Sequence, residues 1–181
     1  MMLVGLAVLA LVAVGVVVWF ERVRRGRQVR ERFGPEYERT VHNVGTPAKA
    51  EAVLAERARR VERFKLRPLS PEQADAFGRE WKRVQAQFVD QPDAAVGAAD
   101  RLVTDVMAAR GYPIEDFDRR ADDLSVDHPV VVENYRTARA LILRRERGDA
   151  GTEELRQAVI NYRAMFDDLL ETTTQARRRA S

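Results

Sequence analysis

The chain has 181 residues, of which 45% are hydrophobic and 33% charged, with ten glycines, seven prolines and no cysteine. This composition excludes a collagen-like chain, a disulfide scaffold and a cysteine-ligated zinc or iron–sulfur site. A disordered chain is disfavoured because the hydrophobic fraction is near the globular average and the net charge is only +3.

Positive charge is concentrated in two short segments. Residues 21–32 contain six arginines and two glutamates, a net charge of +4, and three arginines at 177–179 add +3, so residues 33–176 carry −4. Because a nucleic-acid-binding domain needs basic residues on its folded surface, the sequence predicts no nucleic-acid partner. Of the 31 basic residues 28 are arginine, and this bias together with abundant alanine is typical of a GC-rich bacterial genome.

Residues 1–20 predict a single transmembrane anchor. Residues 2–20 are uncharged and as a helix would span about 28 Å, close to the thickness of the hydrocarbon core. A cleaved secretory leader would need basic residues before this stretch and a small-x-small site after it, and neither is present. The arginines that follow predict a bacterial inner-membrane protein with its N-terminus outside and its C-terminal body in the cytoplasm.

The end of the anchor supplies the predicted membrane-interface residues. Aromatic side chains prefer the headgroup level, and the arginines act as an orientation signal. The arginines could in addition bind anionic lipid headgroups, at about 1 kcal/mol each. The interface set is Trp19, Phe20, Arg22, Arg24, Arg25 and Arg27.

The rest of the chain predicts helices, and the predicted fold class is all-α. Prolines and small polar residues mark the helix starts, and Ser70 with Gln73 forms a capping-box pattern. The last helix should begin at Thr152. The predicted helices cover about 35–42, 47–64, 71–89, 92–110, 115–124, 129–147 and 152–172.

Four of these helices carry an apolar stripe at spacings of three and four, which predicts near-parallel packing in a bundle. The predicted organisation is a basic juxtamembrane segment with exposed linking helices at 21–67, a bundle domain at 68–172 and a basic disordered tail at 173–181. The stripes comprise Phe77, Trp81, Val84 and Phe88; Val96, Ala99, Val103 and Val106; Val131, Tyr135, Ala138 and Ile142; and Leu155, Val159, Tyr162, Phe166 and Leu169.

The linking helix has a weaker stripe. The stripe consists of Ala50, Leu54, Ala58 and Val61 at helical spacing. It forms only a narrow apolar surface, and arginines surround it. We therefore expect this helix to be exposed and to connect the anchor to the bundle.

Catalytic motifs are absent from the sequence. The two histidines, His42 and His128, lack metal-ligand spacing, and no phosphate-binding glycine loop occurs. Residues 125–128 contain serine, aspartate and histidine, but neighbours in sequence do not form the spatial relay of a triad. We interpret them as a helix-entry turn in which Asp127 accepts backbone N–H groups near Pro129. No catalytic, cofactor-binding or metal-binding residue is predicted.

The segment 111–136 is denser in polar and aromatic residues than a helix junction requires. Its side chains predict either a polar network that braces the junction or a docking groove for a peptide or small ligand. The candidate residues are Tyr112, Arg119, Asp122, Asp127, His128 and Arg136.

Several pieces of the chain resemble an uncharacterised family of bacterial membrane-anchored helical proteins. They are ERFGPEY at 31–37, GYP at 111–113, DF at 116–117, ADDLSVDHP at 121–129 and YR at 135–136. The resemblance runs over nearly the whole chain after the anchor. It implies the same layout and carries no assigned activity.

The functional prediction is a membrane-tethered cytoplasmic interaction or scaffold domain, non-enzymatic and without a cofactor, that binds an unknown protein partner. One alternative is a ligand-binding or catalytic domain that uses the 111–136 segment. Another is a secreted helical protein whose leader is removed.

Overall fold

The computed structural model describes residues 15, 16, 20, 21, 24 and 26–180, with side chains as far as Glu171. All regular secondary structure in this part of the chain is helical, which confirms the all-α fold class. Among these residues no helix combines the length and apolar character needed to cross a membrane. The predicted anchor lies outside the described residues except at positions 15, 16 and 20. Of the predicted interface residues, Trp19, Arg22 and Arg25 also lie outside the described residues, and Phe20, Arg24 and Arg27 are exposed.

Seven helices follow the helical residues 26–33. Prolines occupy the first position of each of the first four, where the missing N–H costs no hydrogen bond. Most ends agree with the predicted ones to within a few residues, but the last helix continues beyond 172. The helices are α1 (Pro35–Val44), α2 (Pro47–Val61), α3 (Pro71–Asp90), α4 (Pro92–Arg110), α5 (Phe117–Asp127), α6 (Val132–Glu146) and α7 (Thr152–Ala180).

The chain forms two compact units, Met1–Glu56 and Arg57–Ser181, with the boundary inside α2. In the first unit Phe33, Tyr37 and Leu54 are buried. A Cβ added to Gly26 would lie 2.7 Å from the Glu51 carboxylate, so the helical residues 26–33 approach α2 closely there. The second unit begins at Arg57 rather than at the predicted residue 68, and the contacts of Arg57 described below explain this earlier start.

The α3 N-terminus has the predicted capping box. Ser70 Oγ accepts the backbone N–H of Gln73 at 3.1 Å, and Gln73 Oε1 accepts the backbone N–H of Ser70 at 2.9 Å. Two N–H groups that the helix leaves without carbonyl partners are thereby satisfied. The pairing thus fixes the start of α3 after residues 65–70, which form no regular secondary structure.

We expect Ser70→Ala to lower the free energy of unfolding by about 1 kcal/mol, because the Gln73 N–H loses its acceptor. Urea unfolding of the full chain in detergent, followed by circular dichroism, measures the change. Val89→Ala on the same helix is the control, since Val89 is 82% exposed. An equal response of the two variants would contradict the capping role.

One hydrophobic core holds the second unit together. The α6–α7, α3–α4 and α4–α7 pairs make its main interhelical contacts. Trp81 stacks on Phe166 with ring centroids 4.9 Å apart, and Tyr135 meets Tyr162 edge to face at 5.9 Å. The predicted stripes are confirmed as core-facing, since most of their members are buried and Phe77, Phe88, Val131, Ile142 and Val159 pack against the core from its margin.

The linking helix α2 was expected to be exposed, but its apolar stripe is buried. Ala50, Leu54, Ala58 and Val61 are each 7% exposed or less. The arginines near them suggested a solvated helix, but Arg57 and Arg60 pair with carboxylates on α5. Because the guanidinium charges are neutralised within the fold, they do not require this part of α2 to face water.

Candidate functional site

The structure does not bring the six candidate residues of segment 111–136 into one site. Tyr112, Asp127 and His128 lie together, Asp122 and Arg136 belong to a second cluster, and Arg119 joins neither. We call the first group the histidine cluster and the second the arginine–aspartate cluster.

A close backbone contact fixes the position of Tyr112. α4 ends at Gly111, whose φ of +93° reverses the chain, and a Cβ there would meet the carbonyl oxygen of Lys65 at 2.7 Å. The N–H of Arg67 donates to the carbonyl of Arg110 at 2.9 Å. Only glycine fits both the left-handed conformation and the close approach. The predicted helix end at Gly111 is therefore confirmed, and it directs Tyr112 toward the end of α5.

The histidine cluster joins three segments of the bundle. Tyr112 donates its hydroxyl to Asp127 Oδ2 at 2.9 Å and lies 3.4 Å from His128 Nε2. His128 Nδ1 bonds the carboxylate of Asp168 on α7. Burial, followed by the Asp127 charge, raises the pKa of Tyr112, so the phenol remains a donor at neutral pH.

The interpretation of Asp127 as a helix-entry cap is wrong. Asp127 is the last residue of α5, and α6 begins only at Val132, so Pro129 lies in the turn between them. The carboxylate accepts the phenol of Tyr112 instead of a backbone N–H near Pro129. No local sequence pattern indicates this partner, because Tyr112 lies 15 residues away at the end of α4.

Arg110 completes the histidine cluster. Its Nη1 donates to the carbonyl oxygen of Leu169 at 3.1 Å and lies 3.5 Å from His128 Nε2. Because a guanidinium has no acceptor, Nε2 accepts in this contact and Nδ1 carries the proton that bonds Asp168. Both ring nitrogens of His128 are therefore engaged, and its side chain is 1% exposed.

A histidine held by an aspartate is also the arrangement that orients a catalytic base. Here Nε2 faces Arg110 and Tyr112 rather than an open surface. The geometry therefore supports the first of the two predicted roles, a polar network that braces the α4, α5 and α7 segments. Arg110 and Asp168 were missed from the sequence because both are ordinary helix positions whose proximity arises from folding.

Tyr112→Phe is expected to lower the free energy of unfolding by about 1 kcal/mol. The variant loses a hydrogen bond to a carboxylate, but the exposed Asp127 can bind water in its place. Thermal unfolding of the full chain provides the measurement. Tyr37→Phe is the matched control, because that hydroxyl bonds Glu51 only at 3.5 Å; a larger loss in the control would contradict the assignment.

The arginine–aspartate cluster ties the end of α2 to α5 and α6. Asp122 Oδ1 lies 2.7 Å from Arg57 Nη2 and 3.3 Å from Arg136 Nη2. Arg60 bonds the carboxylate of Asp123, whose side chain is 2% exposed. Burial raises the pKa of Asp123, and the Arg60 guanidinium opposes that rise. The cluster thus holds a buried carboxylate that depends on one arginine.

Arg119 belongs to the start of α5. Its Nε lies 3.3 Å from the exposed Glu115 carboxylate, and its backbone N–H donates to Asp116 Oδ1 at 3.0 Å. Asp116 is therefore the N-cap of α5. The backbone bond from Arg119 lowers the pKa of Asp116, as expected for a carboxylate at a helix N-terminus.

A groove between α3 and α7 was not foreseen from the sequence. It is open to solvent and has a volume of about 380 Å³. Its apolar lining consists of Ala74, Gly78, Trp81, Phe166 and Leu170, of which Trp81 and Phe166 are almost fully buried. A Cβ added to Gly78 would meet no atom within 4 Å, so α3 faces open space at this residue. No local sequence pattern predicts this groove, because it depends on which face of α7 lies beside Gly78 in the fold.

Charged side chains surround the groove. Arg163 lies over the Trp81 ring at 5.5 Å from the centroid, and its Nε is 2.6 Å from Asp167 Oδ2. Its Nη1 also donates to Gln85 at 3.3 Å. The remaining charged residues of the rim are Asp75, Arg79 and Lys82 on α3.

Within the described residues, no group of three or more histidine, aspartate or glutamate side chains could hold a metal ion. The chain matches no protein-family model, no curated protein and no solved structure. The resemblance to the bacterial membrane-anchored family stays a prediction.

Proposed function

We propose that this protein is a single-pass membrane protein whose cytoplasmic helical body binds another protein and catalyses no reaction. The observation that carries the interaction role is the groove between α3 and α7. Its volume is within the range of about 300–1,000 Å³ that small binding sites occupy. Grooves with aromatic and aliphatic walls between helices are also where partner helices dock.

Within each of the two polar clusters, the side chains bond to other members of the same cluster. In the histidine cluster both ring nitrogens of His128 have partners, and in the arginine–aspartate cluster the carboxylates of Asp122 and Asp123 face arginines. Such networks rigidify a bundle and hold its helices in one arrangement. They support a scaffold role, in which a fixed body presents the groove.

The tether is proposed from the sequence. The uncharged residues 2–20 are long enough for one membrane-spanning helix, and the arginines of residues 21–32 favour a cytoplasmic location for everything after them. The proposed layout is thus a transmembrane helix, a linking segment and the bundle, in the inner membrane of a bacterium. The resemblance of residues 31–37 and 111–136 to membrane-anchored bacterial proteins favours the same layout.

Site-specific photo-crosslinking in intact cells tests the interaction role. A photoreactive phenylalanine derivative in place of Gly78 enters the open space of the groove, and the same derivative in place of Arg101, an exposed residue of α4, is the control. We expect a discrete adduct with another protein from position 78 and none from position 101. An absence of adducts at position 78, in cells that contain normal amounts of the folded chain, would contradict the proposal.

Alkaline carbonate extraction tests the tether separately. The full chain should remain in the membrane pellet, and a chain that lacks residues 1–20 should move to the supernatant, because one apolar helix supplies the insertion energy. Equal extraction of the two chains would contradict the proposal that residues 1–20 anchor the protein in the membrane. The interaction role of the groove would still be tested by the crosslinking experiment.

A further inference from the structure

We infer that Arg24 and Arg27 bind the phosphate groups of anionic lipids at the cytoplasmic face of the membrane. The inference rests on the proposed function, because it requires residues 2–20 to span the bilayer. It also goes beyond an orientation signal, which needs only an excess of positive charge after the span. A lipid site requires two particular guanidinium groups that are placed at headgroup depth and are not used elsewhere in the fold.

The distance from the apolar stretch brings both arginines to the headgroups. Residues 20, 21, 24 and 26–33 are helical. At about 1.5 Å per residue, Arg24 would lie about 6 Å and Arg27 about 10 Å beyond Phe20. The headgroup region is about 5–7 Å thick on each side of the hydrocarbon core. Because helical Cα–Cβ bonds tilt toward the N-terminus, both side chains start toward the membrane, and their length covers the remaining distance.

Ion pairing distinguishes these two arginines from the next one along the helix. Arg24 and Arg27 are exposed, and within the described residues neither forms an ion pair. They lie three residues apart, so they share one side of the helix. Arg30 is different, because its Nη2 lies 2.7 Å from Oε1 of Glu38. A phosphate can therefore accept hydrogen bonds from two guanidinium groups that have no carboxylate partner.

The carboxylates near these arginines leave an excess of positive charge. Glu21 and Glu31 are already counted in the net charge of +4 for residues 21–32. The carboxylate of Glu51 approaches the same helix at Gly26, and with it the local charge is still +3. An anionic lipid neutralises such an excess, whereas a zwitterionic lipid brings no net charge. The sign of the charge therefore selects anionic headgroups as the ligand.

The test measures which lipids lie beside this side of the helix in the full chain. Trp19→Phe, Phe20→Trp and Trp81→Phe together leave a single tryptophan, at position 20. That position precedes Arg24 by four residues and Arg27 by seven, so it lies on the same helix face. In bilayers that mix phosphatidylglycerol and phosphatidylcholine, with either one brominated, the quenching of tryptophan fluorescence gives the ratio of the two lipid affinities.

We expect phosphatidylglycerol to be favoured about fivefold or more, which corresponds to one arginine near an anionic surface. Arg24→Gln with Arg27→Gln should bring the ratio close to one. Arg30→Gln is the matched control, because its guanidinium is paired with Glu38, and it should change the ratio less than twofold. Circular dichroism confirms that each variant is folded.

The outcomes separate the lipid site from the anchor on which it rests. A preference for phosphatidylglycerol that the double variant abolishes and Arg30→Gln retains supports the inference. A smaller preference, one that survives in the double variant, or one that Arg30→Gln removes equally overturns the inference, and quenching by the brominated lipids leaves the anchor standing. No quenching by either brominated lipid would place position 20 outside the bilayer and overturn both.

Discussion

Arg60→Ala is expected to lower the free energy of unfolding by about 3–5 kcal/mol at pH 7, because it leaves a charge buried without its partner. The carboxylate of Asp123 is 2% exposed and is bonded by the Arg60 guanidinium. Water cannot replace that partner without opening the contact between α2 and α5. Urea unfolding of the full chain in detergent, at several pH values, gives the measurement.

The loss should become smaller in acid. Burial raises the pKa of Asp123 above its ordinary value of 3.8, and removal of Arg60 takes away the main group that opposes this rise, leaving only the weaker effect of the Arg119 charge. The folded carboxyl then binds a proton at a pH where the unfolded one is still ionised. Ionisation of Asp123 therefore costs stability as the pH rises through the interval between the two pKa values, and costs nothing below it.

Two further variants provide the controls for Arg60→Ala. Addition of Asp123→Asn should remove the pH dependence of the loss, because the titrating group is gone. Arg83→Ala breaks an ion pair with Glu80 in which both side chains are well exposed, and should cost about 0.5 kcal/mol or less. If Arg60→Ala were as mild as Arg83→Ala, or independent of pH, the buried pair would not hold α2 to the bundle.

Trp81→Ala should destabilise the second unit by about 3–5 kcal/mol, the range observed when a buried aromatic residue is truncated in a core. Trp81 is 2% exposed, and its ring stacks on Phe166 at 4.9 Å. The loss of the ring removes contacts between α3 and α7 and leaves a cavity behind the groove. Thermal unfolding and urea unfolding both measure this loss of stability.

Val89→Ala provides the comparison for Trp81→Ala, since Val89 lies on the same helix but is 82% exposed. It should change the free energy of unfolding by about 0.5 kcal/mol or less. Trp81→Phe should be intermediate, because a ring still faces Phe166. A loss below 1 kcal/mol for Trp81→Ala would show that α3 and α7 do not share the core as described.

Local chemistry explains why the helix limits could be predicted. A proline after a serine or threonine, a glycine after the last turn and an acceptor three residues into a helix act through neighbouring backbone groups. Ser70 with Gln73, and Gly111 at the end of α4, behave as their sequence predicts. The apolar stripes could also be predicted from the sequence, because a helix with one apolar face must bury that face.

Partners that are distant in sequence explain what could not be predicted. Arg60 reaches Asp123 across 63 residues, and His128 reaches Asp168 across 40. No local pattern records such pairs. The arginines of α2 therefore suggested a solvated helix, and Asp127 suggested a cap, when each had a partner on another element. The groove depends in the same way on which face of α7 lies beside Gly78.

Labelling of an introduced cysteine tests the tether and its orientation most directly. The chain has no cysteine of its own, so Val89→Cys supplies a single thiol at a residue that is 82% exposed. A maleimide that cannot cross membranes should label this thiol only after the inner membrane is permeabilised, and the labelled chain should sediment with the membranes. Labelling before that membrane is opened, or recovery of the chain from the medium, would contradict a cytoplasmic body held by an N-terminal anchor.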